Sequence, residues 1–416
     1  MMRSLSSGVA GMRAHQTRMD VIGSNIANVN TVGFKKSRVT FTEALVQTMR
    51  GATRPSATLG GRNPMQVGLG VQVGSIDTIF TQGFLENTGV VTDLAIEGDG
   101  FFIVGDGQNR LFTRSGNFIF DATGRLVSSS TGLAVQGVMA RPDGTIPPLT
   151  TLQDIVIPFD MQTSPEATTR ISIKGNLDAQ AAVGDTKTVP VSVIDSLGMQ
   201  HVVTITFTKV GVNDWTWEAT DPSGNPAGNG TAQFDADGRL LAFDGAGGTA
   251  PTISFIPTNG AQPMTINLEP FGAGLYDGLT QFAAPYTCYG RAEDGVTHGT
   301  LENIDIDSTG TIYGSFTNGI VKALARIAVA TFDNPAGLER LSDGNYHVSV
   351  NSGEAVIQYP GDSGDVQIVA RALEQSNVDL TEEFTSMITA QRGFQASARV
   401  ITTTDEMLQE LAMLKR

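Results

Sequence analysis

The clearest hydrophobic periodicity lies at the two ends of the chain. Near the N-terminus Leu5, Met12, Met19 and Ile26 recur every seven residues, and Val9 and Ile22 fill the same side. A narrow apolar stripe of this kind predicts a helix over 4–28 that buries one seam against other helices. Gly8, Gly11 and Gly23 fall inside it, each costing about 0.5–1 kcal/mol relative to alanine. The segment is therefore marginal alone and needs partners. At the C-terminus Leu380, Met387, Phe394, Ile401 and Leu408 hold a strict period of seven, and Phe384, Ile388, Ala398, Leu411 and Leu414 widen the stripe. Asp379 or Thr381 can cap this helix, and Glu382 and Glu383 suit the positive end of its dipole. A helix over 379–414 is about 54 Å long.

Between the ends the period shortens to two. Residues 31–75 are rich in Gly, Thr, Arg and Asn with weak periodicity, which predicts an extended linker. Short strand candidates follow at 93–97, 101–104, 111–114 and 118–120, with Gly-containing turns between them. Val203, Ile205 and Phe207 alternate with Thr204, Thr206 and Thr208, a half-buried strand. Trp215 and Trp217 share a face and read as core or sheet surface rather than a binding clamp. Strands resume at 299–316 and 323–332. The predicted fold class is α+β multidomain: coiled-coil-like N- and C-terminal helices packed together, with two mainly antiparallel β domains, sandwich- or barrel-like, between them. The boundaries are an N-terminal helix over 1–30 and a linker over 31–75. An inner β domain takes 76–150 with 286–370, an inserted β domain takes 151–285, and the C-terminal helix takes 371–416. Matched seams at both ends suit either an antiparallel pair within one chain or many such pairs packed between subunits. Stripes this long, at both termini, favour assembly.

Composition narrows the class. The 416 residues leave room for two or three domains. At 17% charged and 40% hydrophobic the chain opposes global disorder, and its glycines keep no three-residue period. One cysteine, Cys288, excludes an internal disulfide framework, and His15, His201, His298 and His347 lie far apart, without metal-ligand spacing. No apolar run approaches a membrane span, so no membrane insertion is expected. The start, Met1-Met2-Arg3-Ser4-Leu5, lacks the apolar stretch and cleavage site of a secretory signal. Residues 1–62 hold nine Lys/Arg against two Asp/Glu, whereas residues 63–370 hold 13 against 33. The basic residues are dispersed, with no interleaved aromatics to stack bases, so no nucleic acid is expected.

No constellation carries chemistry. Asp305-Ile-Asp307-Ser-Thr-Gly310 opens like a calcium loop but has Phe316 where the closing Glu belongs. Asp235-Ala-Asp237-Gly238 lacks later ligands, and both read as turns. Gly68-Leu-Gly70-Val-Gln-Val-Gly74 places its third glycine one position late for a dinucleotide fingerprint. The expectation is no enzyme, with no catalytic, cofactor-binding or metal residues. A β-rich adhesin accounts for the centre but gives no reason for heptad stripes at both termini. A carbohydrate-active enzyme would need the Trp215/Trp217 face.

Ile22-Gly-Ser-Asn25-Ile-Ala27-Asn28-Val-Asn30-Thr31-Val-Gly33-Phe34-Lys35 resembles the N-terminal signature of the bacterial flagellar rod and hook proteins. Ser376-Asn377-Val378-Asp379-Leu380-Thr381, Met387-Ile-Thr-Ala390-Gln391-Arg392-Gly-Phe-Gln-Ala396 and Thr404-Asp-Glu-Met-Leu-Gln409 are similar to their C-terminal signature. Stretches 93–103, 112–118 and 299–319 resemble the family's shared β domain. Rod members similar to this chain are shorter and lack a middle β domain, so 151–285 and 325–335 look hook-like, with a distal-rod type as the alternative. The resemblance implies a subunit that self-assembles into a short, curved, hollow tube, a universal joint passing torque from rod to filament. It implies export by the flagellar type III apparatus, without a cleaved signal peptide, to an extracellular position on the basal body. Implied partners are further copies of itself, the distal rod, the hook cap, the hook–filament junction proteins and the export apparatus. The seam residues Leu5, Met12, Met19, Ile22, Ile26, Leu380, Phe384, Met387, Phe394, Ile401 and Leu408 would carry self-assembly.

Overall fold

The computed structural model describes residues 2–52, 54, 60–105, 109–271, 276–362, 364 and 366–414. The chain divides into two compact units, Met1–Pro158 with Ile304–Tyr313 and Ala323–Arg416, and Phe159–Asn303 with Gly314–Lys322.

The first unit holds both helices, α1 (Met2–Ala27) and α2 (Leu380–Leu414). They pack antiparallel, Gly8 and Gly11 lying beside Ser397 and Ile401, and His15 beside Gly393. The contact is closer than long side chains would allow. A Cβ built on Gly8 falls 3.1 Å from Ile401 Cγ1, and one on Gly11 falls 2.9 Å from Ser397 Oγ. The buried face of α1 is Gly8, Gly11, Ala14, Ile22 and Asn25; on α2, Glu383, Ala390 and Thr404 are buried, and Ser397 shares their spacing of seven. The glycines that weaken α1 in isolation are thus what admit α2. The apolar stripes flank this contact: Leu5, Met12, Met19, Ile26, Met387, Phe394 and Ile401 are half-buried, while Leu380, Phe384 and Leu408 are exposed. The side chains of Leu411 and Leu414 lie outside the described ones.

Residues 31–75 are not an extended linker. They fold into β1 (Ser37–Glu43), β2 (Val46–Arg50) and β3 (Met65–Gly68), and β4 (Val71–Thr78) begins there too. β1 pairs antiparallel with β4 from Ser37↔Thr78 to Glu43↔Val71, and β2 pairs with β3. All of these strands' side chains are exposed or half-exposed: β2 and β3 are exposed throughout and β1 has no regular rhythm, so only β4 carries a two-residue alternation. The β body of this unit centres on Phe101, which meets Phe80, Phe332 and Tyr346 with ring centroids 5.4–5.8 Å apart across the set. Strand Ala372–Glu374 pairs antiparallel with Leu85–Asn87 and leads the chain into α2.

In the second unit Thr186–Ile194, Gln200–Gly211, Asp214–Thr220, Pro226–Phe234 and Leu240–Gly245 form a five-stranded antiparallel meander. A second sheet is built on Arg170–Asp178, which pairs in parallel with Met264–Glu269 and Leu279–Phe282 and antiparallel with Tyr289–Ala292. The inward faces of both sheets share one core. Trp215 and Trp217 belong to it, their indole N–H groups donating to Gln281 Oε1 and the Asp244 carbonyl at 3.1 Å each. Trp217 also stacks on Phe243, so neither tryptophan offers a face to a ligand. Cys288 is buried in the same core, and burial pushes its thiol up to about 12. Asp235 here and Asp307 in the first unit each spend one carboxylate oxygen on backbone amides two and four residues ahead, the geometry of a turn.

Candidate functional site at the junction of the termini

The two signature stretches meet in the first unit, where α1 hands over to β1 and Ala372–Glu374 hands over to α2. Asn25, buried in the last turns of α1, pairs with Ser37 as a strand residue would. Its Nδ2 donates to the Ser37 carbonyl at 2.8 Å, and its Oδ1 accepts from the Ser37 amide at 3.0 Å. Asn28 donates to the Ser24 carbonyl at 2.8 Å and accepts from the Thr31 hydroxyl, closing the helix end. Gly33 has φ +68°, and a Cβ there would fall 2.7 Å from the Arg114 carbonyl carbon. Only glycine meets both conditions. Phe34 is buried beneath the Arg340 guanidinium, 4.4 Å from the ring centroid.

The C-terminal signature answers from the other side. Asn377 Oδ1 accepts from the Lys36 amide at 2.8 Å, and its Nδ2 donates to the Ile79 and Thr81 carbonyls. Asp379 Oδ1 accepts from the amides of Thr381 and Glu382, so it is the cap of α2, and those bonds hold its carboxyl below the usual range. Ser376 Oγ accepts from the Val378 amide. Ala390 is fully buried, whereas Ala27, Asn30, Thr31, Gln391 and Arg392 are exposed.

At the centre stand three buried charges. Lys35 Nζ donates to Glu374 Oε1 at 2.7 Å and to the Thr81 carbonyl at 2.9 Å. Glu374 Oε1 also accepts from the Gly83 amide at 2.8 Å. Arg114 Nη1 lies 3.6 Å from Glu374 Oε2, and its guanidinium sits over the Phe101 ring. Burial pushes the Lys35 ammonium below its ordinary value, Glu374 opposes that shift, and Arg114 reinforces it. Two cations share one carboxylate here, and the backbone of 33–37 is held to that of 372–377 by side chains from both ends of the chain. The arrangement fixes the termini; it assembles no nucleophile, base and substrate cavity. Sequence reading passed over Arg114 and Glu374 as members of a site, because each is a single charge in an otherwise ordinary stretch and no spacing marks them; Glu383 it read only as favouring the helix dipole.

Comparison with known proteins agrees with this arrangement. The model for the flagella basal body rod protein matches residues 5–35, and that for the flagellar basal body rod FlgEFG protein C-terminal matches 369–414. The flagellar hook protein FlgE/F/G D1 domain matches 95–178, and the flagellar basal body protein FlaE D2 domain matches 162–296. The flagellar hook protein FlgE of Borreliella burgdorferi is 41% identical over 442 residues, and that of Treponema pallidum 39% over 464, each alignment covering 100% of both chains. The flagellar basal-body rod protein FlgG of Bacillus subtilis is 32% identical, also over 100% of both. Coverage alone therefore does not separate hook from rod; the matches at 41% and 39% identity are both to hook proteins and favour the hook reading over the rod alternative. A crystal structure of Helicobacter pylori flagellar hook protein FlgE2 superposes with a TM-score of 0.50 at 14% identity, covering 70% of this chain and 100% of that one, and shares the fold. The family is structural rather than enzymatic, and it assembles with other flagellar components. With identity of this order running from end to end, the chain belongs to the flagellar hook protein FlgE family and is a structural subunit of the bacterial flagellar hook.

Proposed function

We propose that copies of this chain stack into a curved hollow tube whose inner layer is made by the paired terminal helices, packed between subunits in coiled-coil fashion. The observation that carries this reading is the two-sidedness of α2. One face is covered by α1, while Phe384 and Ile388 stand 51% and 52% exposed on another. Apolar side chains in such a row on a long helix call for a further helix, and a repeated subunit supplies one. The tube would pass torque from the distal rod to the filament, bounded by the hook cap during growth and by the junction proteins at its far end. Subunits would leave the cell through the flagellar type III apparatus without a cleaved signal, and the acidic segment 151–285 would face the medium. Phe384→Asp tests the seam: Phe384 is exposed in the single chain, so the variant should fold normally and form no tubes. Tubes of normal number and length in electron micrographs of Phe384→Asp would refute the seam assignment.

A further inference from the structure

A cavity of 240 Å³ opens in the first unit between α1, β1 and the first turns of α2. Its walls include Val21, Ile22, Val39 and Ile79, and Glu383 lines it. Glu383 is only 7% exposed, and among the described residues its carboxylate has neither an ion pair nor a hydrogen bond. Neither of its oxygens is a buried unpartnered atom, so the carboxylate is reachable from the cavity while the rest of the side chain is packed away. A cation meeting it on these partly apolar walls is screened less than on an open surface. The neighbouring charges are mostly engaged elsewhere: Lys36 holds Glu382 at 2.9 Å, and Arg38 faces Asp77 at 3.6 Å. Arg18 also lines the cavity, but among the described residues it comes within ion-pair distance of no carboxylate.

The helices themselves carry the complementary charge. Arg3, Arg13, Arg18, Arg392 and Arg399 lie on α1 and α2, and none has an ion-pair partner among the described residues. Arg13, Arg392 and Arg399 are exposed. We propose that the cavity is a socket for an arginine from the terminal helices of a second copy. Two guanidinium N–H groups would donate to the Glu383 oxygens, and the methylene stem would lie along the apolar walls. This rests on the reading that the chain polymerises, and it adds a named acceptor and the chemistry of what enters it. Such a contact gives neighbouring subunits a fixed register that an apolar seam alone, being non-directional, does not provide.

The test uses the full chain in a polymerisation assay read by light scattering and electron microscopy. Glu383→Gln keeps the shape and removes the charge. It should raise the protein concentration needed for tube formation at least tenfold, with monomer melting unchanged or raised. Glu383→Arg should abolish tubes, and pairing it with one of Arg3→Glu, Arg13→Glu, Arg392→Glu or Arg399→Glu should restore them. Glu383→Gln tubes at the wild-type concentration, or restoration by none of the four, would overturn the socket. So would restoration by Arg18→Glu with a melting curve that shows the two residues paired within one monomer. A wild-type chain that forms no tubes would remove the assembly reading and the socket together, so the two failures are told apart by that control.

Discussion

The imidazole of His15 on α1 lies directly against Gly393 on α2, leaving no room between them for a Cβ. The same ring meets Phe41 of β1 edge-on with centroids 5.9 Å apart, and among the described residues its buried Nδ1 has no hydrogen-bond partner. Burial, reinforced by Arg18, pushes the imidazole below its ordinary value. His15 therefore acts as a neutral wedge that both helices and β1 close upon.

Two glycine-to-alanine substitutions should consequently move stability in opposite directions. Gly23 in α1 has nothing within 4 Å of a built Cβ, so Gly23→Ala should stabilise the helix by about 0.5–1 kcal/mol. Gly393→Ala gains the same propensity but must displace the ring of His15, and overpacking of that kind costs about 1–3 kcal/mol. Amide hydrogen exchange along α2 should slow in the first variant and quicken in the second. Slower exchange in Gly393→Ala would show that the helix contact is looser than the structure has it.

The charged centre of the junction makes a ranked prediction. Lys35 and Arg114 share Glu374, so removing Lys35 leaves one cation and one anion, whereas neutralising Glu374 leaves two cations buried together. Glu374→Gln should cost about 3–5 kcal/mol, and Lys35→Met clearly less. Denaturant unfolding followed by far-ultraviolet circular dichroism reads the loss. Tryptophan emission should stay at its wild-type midpoint, because Trp215 and Trp217 both lie in the second unit. The opposite ranking would show that the Lys35–Thr81 bond, and not charge balance, holds the site.

These contacts explain what could be read from the sequence and what could not. Both helices were legible because their apolar positions repeat over many turns, and Asp379 announced the start of α2 by residue type. Trp215 and Trp217 declared a sheet face by lying two apart. Legibility failed where pairing is distant or a single atom decides. β1 (ending at Glu43) finds β4 (starting at Val71) only across a long stretch of intervening chain, so nothing local marks it as a strand. Gly8 and Gly11 read as weak points in a helix, since their use depends on what crosses them. Lys35, Arg114 and Glu374 come together from three separate stretches, and only the fold makes them one site.

The second unit should have its own acid transition, set by Asp195. This carboxylate is buried at the turn before Gln200–Gly211. Its Oδ1 accepts from the amides of Leu197 and Met199 at 2.9 Å each, and its Oδ2 accepts from His201 Nε2 at 2.8 Å and from Asn259. Burial alone would raise it, but these donors outweigh burial and hold the carboxyl at about 2, against an ordinary value of 3.8. A group depressed in the folded state contributes stability above its unfolded value and loses it as pH falls toward its folded value. The contribution, on the order of 2 kcal/mol, should therefore be intact at pH 5 and vanish between about pH 4 and pH 2. Unfolding midpoints followed by tryptophan emission should fall across that window. In Asp195→Asn they should start lower and fall less, because the group that titrates is gone. An equally steep fall in Asp195→Asn would assign the acid transition to another carboxylate of the unit.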